Sequence, residues 1–286
     1  MYLGLYPKGL PANARLWQAG ARGGFVLTLL LFLTGSMINK KILILCLSIA
    51  LVILLVIFWS NFHKKPIDKP NPTIVFVGDS MTEYLGNFDE LRAYLKNYYP
   101  TKNFLLLNYG FSSTNILSLQ DRLEKDSSHS GRTFQAINNI LFDFILIESF
   151  GHNPLSEYSL EKGLQLQTEA LDKMMTTITQ KHPKQSIIFV ATIAPNRERY
   201  AEGAVNLTTK EREKWADERI SYIKNHIEYA KSKSIPLINI YEKSLDQNGT
   251  GNIDYVNTND FIHPSPTGVY FISEEIAKFL YNNKFF

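Results

Sequence analysis

A single cysteine, Cys46, leaves this chain of 286 residues without any possible intramolecular disulfide and without a thiolate cluster for zinc. Leu45 precedes it and the apolar run continues well beyond it, so it does not read as a lipid-attachment site either. Acids are missing too, but only locally. Residues 1–65 hold seven cations (Lys8, Arg15, Arg22, Lys40, Lys41, Lys64 and Lys65) and no Asp or Glu. Taking those seven from the 30 basic residues leaves 23 against 27 acids, a net charge of −4 from residue 66 onward. That balance offers no basic surplus for nucleic acid. No G-x-G-x-x-G or Walker loop follows the first strand-like run, and no His-x-x-x-His or similar ligand pair marks a metal centre. Internal repeats and low-complexity segments are absent as well. At 45% hydrophobic and 20% charged residues, the chain is a folded one, long enough for one substantial domain plus an appendage.

The appendage is apolar. Residues 42–59 are interrupted only by Cys46 and Ser48, and as a helix they span about 27 Å, close to the hydrocarbon thickness of a bilayer. Lys40-Lys41 and His63-Lys64-Lys65 flank this run, and Trp59 sits where an interfacial aromatic belongs. A cleaved signal peptide has a shorter apolar region and a small-x-small site, which is missing before the lysines, so a retained single-pass anchor is the better reading. The run 25–33 is too short to span, and Met37-Ile38-Asn39-Lys40-Lys41 reads as an ordinary start. Residues 1–36 are therefore taken as an extension and 37–72 as anchor and linker, stiffened by Pro66, Pro70 and Pro72. The globular domain is 73–286, expected outside the cytoplasm.

From Thr73 short apolar runs alternate with helical patterns. Strands are predicted at 73–77, 103–108, 143–148, 186–191 and 235–240. Three stripes have helical spacing: Leu85, Phe88, Leu91 and Leu95; Leu160, Leu164, Leu171, Met175 and Ile178; and Trp215, Tyr222, Ile223, Ile227 and Ala230. Alternating βα units predict an α/β fold, a three-layer α/β/α sandwich around a five-stranded parallel sheet in the flavodoxin-like order 2-1-3-4-5.

Chemistry gathers at the carboxyl ends of those strands. The first ends in Gly78-Asp79-Ser80, the second in Asn108-Tyr109-Gly110-Phe111-Ser112-Ser113, the third in Glu148 through Asn153-Pro154. A serine hydroxyl is a weak nucleophile until a base takes its proton and a third group orients that base. Asp260-Phe261-Ile262-His263 supplies both, three residues apart. The alternative is a turn in which Ser80 merely caps a helix. Acyl transfer also needs donors for the developing oxyanion, and the backbone N–H groups of Ser80 and Gly110 and the Asn153 amide can provide them. His152 borders Asn153 and is a candidate substrate contact; the other histidines read as structural or solvated.

These blocks resemble the GDSL/SGNH hydrolase superfamily, named for Ser, Gly, Asn and His in separate blocks. Gly78-Asp79-Ser80 is similar to the first, Asn108-Tyr109-Gly110 to the second, Gly151-His152-Asn153-Pro154 to the third and Asp260-Phe261-Ile262-His263-Pro264 to the last. The resemblance implies Ser80 as nucleophile, His263 as base, Asp260 as its orienter, and Gly110 and Asn153 as oxyanion donors. Pro154 stands where the family commonly has Asp, and Ser113 where a glycine is frequent. The implied activity is a serine esterase or acyl hydrolase without cofactor or metal, acting on an ester such as an O-acetylated glycan or lipid. The same residues would serve an O-acyltransferase. The rival readings are a metal hydrolase using Asp79, Glu148, His152, Asp260 and His263, and a non-catalytic carbohydrate-binding protein at the membrane.

Overall fold

The structure is a computed structural model that describes residues 44–45, 48–56 and 71–286. Pro70–Phe286 forms one compact unit, and everything below concerns it unless stated. β1 (Thr73–Gly78) leads through one-turn α1 (Ser80–Glu83) and α2 (Asp89–Tyr98) to β2 (Leu105–Gly110). After α3 (Leu119–Glu124) comes a short antiparallel hairpin, β3 (Ser127–His129) and β4 (Arg132–Phe134). The chain continues with β5 (Phe144–Glu148), α4 (Leu160–Lys181), β6 (Ser186–Ala191), α5 (Thr209–Ser232) and β7 (Leu237–Asn239). One-turn α6 (Ile240–Lys243) and α7 (Pro266–Asn282) complete it.

Five strands pair in parallel in the order β2-β1-β5-β6-β7, as the sequence predicts. Strand alternation splits the core in two. Ile74 and Phe76 of β1 pack with Leu91 and Leu95 of α2 and Ile272 and Ile276 of α7, while Val75 and Val77 pack with Leu171, Met174 and Ile178 of α4. Each such side chain contributes about 1.5–3 kcal/mol by leaving water. Those two layers explain why β1 and β5 are apolar at nearly every position.

The stripe from Leu85 to Leu95 is not one helix. Gly86 and Phe88 take left-handed φ values of 56° and 61°, so α2 starts only at Asp89. Leu85 and Phe88 are still buried, filling the core from a turn, and Asn108 Nδ2 donates to the Thr82 and Gly86 carbonyls of that turn, at 3.1 and 2.9 Å. β7 stops one residue short of 240 because the Asn239 side chain accepts the Glu242 N–H and caps α6. The hairpin, α3 and α7 lie beyond the predicted elements.

Residues 44–45 and 48–56 are helical, with exposed side chains such as Ile44, Ile49 and Leu54. Among the described residues, no helix is long and apolar enough to cross a membrane. The extension 1–36, the ends of the apolar run 42–59 and most of the linker lie outside the described residues.

Candidate active site

The carboxyl ends of β1 and β2 meet at Gly78 and Gly110, which are ladder partners. Neither tolerates a side chain. A Cβ on Gly78 would stand 2.1 Å from Thr82 Oγ1, and one on Gly110 2.2 Å from the Glu83 nitrogen, so both glycines let α1 fold back onto the sheet edge. Asp79 caps that turn, its Oδ1 accepting the Met81 N–H at 2.8 Å. Ser80 is the first helical residue and is 6% exposed.

The other half comes from the loop before α7. Asp260 Oδ1 accepts the backbone N–H groups of Ile262 (2.8 Å) and His263 (3.0 Å), and Oδ2 lies 2.8 Å from His263 Nδ1. Burial tends to raise the Asp260 pKa, but bonds from the His263 ring and the two backbone N–H groups outweigh it and hold the carboxyl below its ordinary value. An ionised Asp260 keeps the proton on Nδ1 and leaves Nε2 as the basic nitrogen. The Arg199 guanidinium covers the Phe261 ring at 4.1 Å and holds the loop from outside.

What joins the halves is Tyr84. Its N–H bonds to the Ser80 carbonyl at 2.9 Å, one turn from the serine, and its ring stacks on His263 with centroids 4.0 Å apart. Ser80 Oγ and His263 are not hydrogen bonded in this resting arrangement; in many enzymes that bond tightens only with substrate in place.

Gly110 is committed elsewhere. Its N–H donates to Asn108 Oδ1 at 2.8 Å, so the glycine serves the close approach to α1. In the adjoining loop, Phe111 N–H donates to the Gly78 carbonyl and Ser112 N–H to Glu83. Ser113, at φ 58°, has no partner for its N–H among the described residues. The Asn153 amide favours the Asp79 carboxylate, although Asp79 Oδ2 has no hydrogen bond of normal geometry. His152 lies beneath the site, 6% exposed, with Nδ1 3.2 Å from the Tyr200 hydroxyl. Burial, only partly offset by the Ile193 carbonyl, pulls its pKa down to about 3, so it is neutral and supports Tyr200.

Beneath the nucleophile lies a polar layer that the motifs only hint at. Asp79 and Glu148 are both buried, and Glu148 accepts the Asp79 N–H (3.3 Å) and the Ser149 hydroxyl (2.6 Å). Burial first, and then for Glu148 its neighbour's charge, raises both carboxyls above their ordinary values. Arg122, 2% exposed, donates Nη1 to the Gly78 and Tyr109 carbonyls (2.7 and 2.9 Å) and Nη2 to Thr114 and Ser118. Its guanidinium covers the Phe111 ring at 4.3 Å. Burial lowers its pKa to about 10, still far above neutrality, with Asp79 and Glu148 opposing the drop. One planar cation thus ties the ends of β1 and β2 to the loop that follows β2. Arg122 sits on a short helix with no motif around it, which is why the sequence does not mark it.

No protein-family model matches the chain, and no curated protein does. Solved structures do. A lipase/acylhydrolase from Enterococcus faecalis aligns at 16% identity and a TM-score of 0.53, covering 74% of this chain and 96% of that one. A protein described as lipolytic and of the G-D-S-L family, from Desulfitobacterium hafniense, aligns at 17% identity and 0.51, covering 73% and 100%. The chain has the fold of the GDSL/SGNH hydrolases.

Proposed function

We propose that this chain, built on the GDSL/SGNH hydrolase fold, is a serine hydrolase of ester bonds that works through an acyl-serine intermediate. The observation that carries the proposal is the Asp260–His263 pair at 2.8 Å, packed through Tyr84 against the turn that bears Ser80. His263 Nε2 accepts the Ser80 proton as Oγ attacks the ester carbonyl carbon, then returns that proton to the departing alcohol. Water repeats the sequence on the acyl-serine, releasing the acid and restoring Ser80. The oxyanion is met by the Ser80 N–H and the Asn153 amide. The apolar run 42–59 with its flanking lysines anchors the domain to a membrane, with the active edge outside the cytoplasm.

A fluorophosphonate probe tests the catalytic core. The full chain labels covalently and Ser80→Ala does not, at unchanged melting temperature. Equal labelling of the two proteins removes Ser80 from the mechanism.

A further inference from the structure

Beside the active edge runs a groove of about 750 Å³. One wall is the segment that continues from Asn153, with Ser156, Tyr158 and Leu160; the other is the first half of α5, with Lys214, Trp215 and Arg219 among its residues. Its volume lies within the roughly 300–1,000 Å³ of ordinary small-molecule sites. The groove is tied to the catalytic loop: Trp215 packs in one cluster with Tyr200, Ala216 and Ile262, and Ile262 is the residue before His263. The Arg219 guanidinium covers the Trp215 ring at 4.8 Å and the Tyr200 ring at 5.6 Å, and Nη1 donates to Glu218 at 2.6 Å and to the Trp215 carbonyl at 3.3 Å. Asp217 accepts from Nε and Nη2 of Arg197 at 2.6 and 2.8 Å. Trp215 is therefore held in place by Arg219 and by its packing on Tyr200 and Ile262.

The lining selects the ligand. An acyl chain calls for continuous apolar walls, yet six of the nine lining residues are polar or charged. Lys214 and Arg219 balance Asp217 and Glu218, so the groove carries no net charge for an ionic ligand. Half-buried Trp215 and 45%-exposed Tyr158 remain as flat apolar surfaces amid hydrogen-bonding groups. A sugar ring has the matching pair of surfaces, an apolar C–H face and a rim of hydroxyls. Water filling a crevice between loop and helix is the plainer account, but it gives no reason for a tryptophan packed directly on Ile262 of the catalytic loop.

We propose that this groove is a glycan subsite, holding the neutral oligosaccharide body of an ester whose acyl group reaches Ser80. The proposal rests on the serine-hydrolase reading for its second half only. Binding is therefore measured separately, on full-length Ser80→Ala protein in detergent, titrated with chitotetraose and xylotetraose. The chain has three tryptophans, Trp17, Trp59 and Trp215, so the signal belonging to Trp215 is the part lost in Trp215→Phe. We expect a saturable change in that part for at least one of the two sugars, and at least tenfold weaker binding in Tyr158→Ala, whose exposed side chain can be removed without unfolding. With active protein, Tyr158→Ala raises KM at least tenfold on O-acetylated xylo-oligosaccharide, with p-nitrophenyl acetate hydrolysis within twofold of the parent. No saturable signal with either sugar, or parental binding and KM in Tyr158→Ala, overturns the subsite. So does a dependence on Tyr158 seen only with a long-chain acyl ester. Sugar binding without fluorophosphonate labelling leaves the subsite standing and removes the hydrolase reading; labelling without sugar binding does the reverse.

Discussion

The Tyr84 ring lies flat on the His263 imidazole, centroids 4.0 Å apart and planes within 3° of parallel. Asp260 fixes that imidazole along one edge, and Tyr84 fixes the tilt of its plane, which the single bond to Oδ2 leaves free. Tyr84 is then a positioning residue, acting through its ring and not its hydroxyl. Tyr84→Phe should keep turnover within twofold of the parent. Tyr84→Ala should lower kcat about tenfold, roughly 1.4 kcal/mol in the barrier, with KM little changed. Equal losses in both variants would point to the hydroxyl and away from the stack.

Asp260→Asn should keep the loop, since a side-chain oxygen can still accept the Ile262 and His263 N–H groups. The imidazole, however, loses the charge that selects its tautomer, and turnover should drop about 10³–10⁴-fold at nearly constant melting temperature. A loss of under threefold would show that the Tyr84 stack alone suffices to orient His263.

Arg122 meets four oxygens from one buried plane. Arg122→Met should cost about 3–5 kcal/mol in urea unfolding, because the Gly78 and Tyr109 carbonyls and the neighbouring carboxyls are left without their cation. Arg122→Lys should recover little of it, an ammonium being unable to reproduce the planar fork. Full recovery with lysine would reduce the role of Arg122 to its charge.

Glu148 gives a pH dependence of defined sign. Its raised pKa means that the folded chain keeps a proton that the unfolded chain releases. The stability from that proton is full below the ordinary value of 4.5 and is lost as pH rises through the raised value. Glu148→Gln, which keeps an acceptor for the Asp79 N–H and presents its amide to Ser149, should flatten this loss as pH rises above 4.5. Parallel stability curves for variant and parent would mean that Glu148 is ionised in the folded state.

The sheet was legible because strands buried on both faces must be apolar throughout, and nothing else in the chain combines that density with five regular interruptions. Strand order followed from βα alternation. The break between α1 and α2 was not legible, since periodicity reports which residues are buried and Leu85 and Phe88 are buried from a turn. Ser80, Asp260 and His263 stood out because each sits in a short motif at a strand end or loop. Tyr84 acts through distant His263, and Arg122 reaches distant Gly78 as well as nearby oxygens, and such long pairings leave no local pattern. Gly110 has a second use that its motif does not show, the close approach of the sheet edge to α1.

The packing of α7 against α2 also sets an order of events in time. Ser80 and His263 are separated by 183 positions (263 minus 80), and His263 reaches the edge only through the loop that α7 holds down. During synthesis the nucleophile leaves the ribosome early, with its glycines and its capping aspartate, but without a base. A nascent chain that has not yet docked its last helix is therefore chemically silent, and no fragment ending before His263 can hydrolyse an ester by this mechanism. Activity begins with the closing of one of the longest loops in the domain, a slow kind of contact for a chain to make.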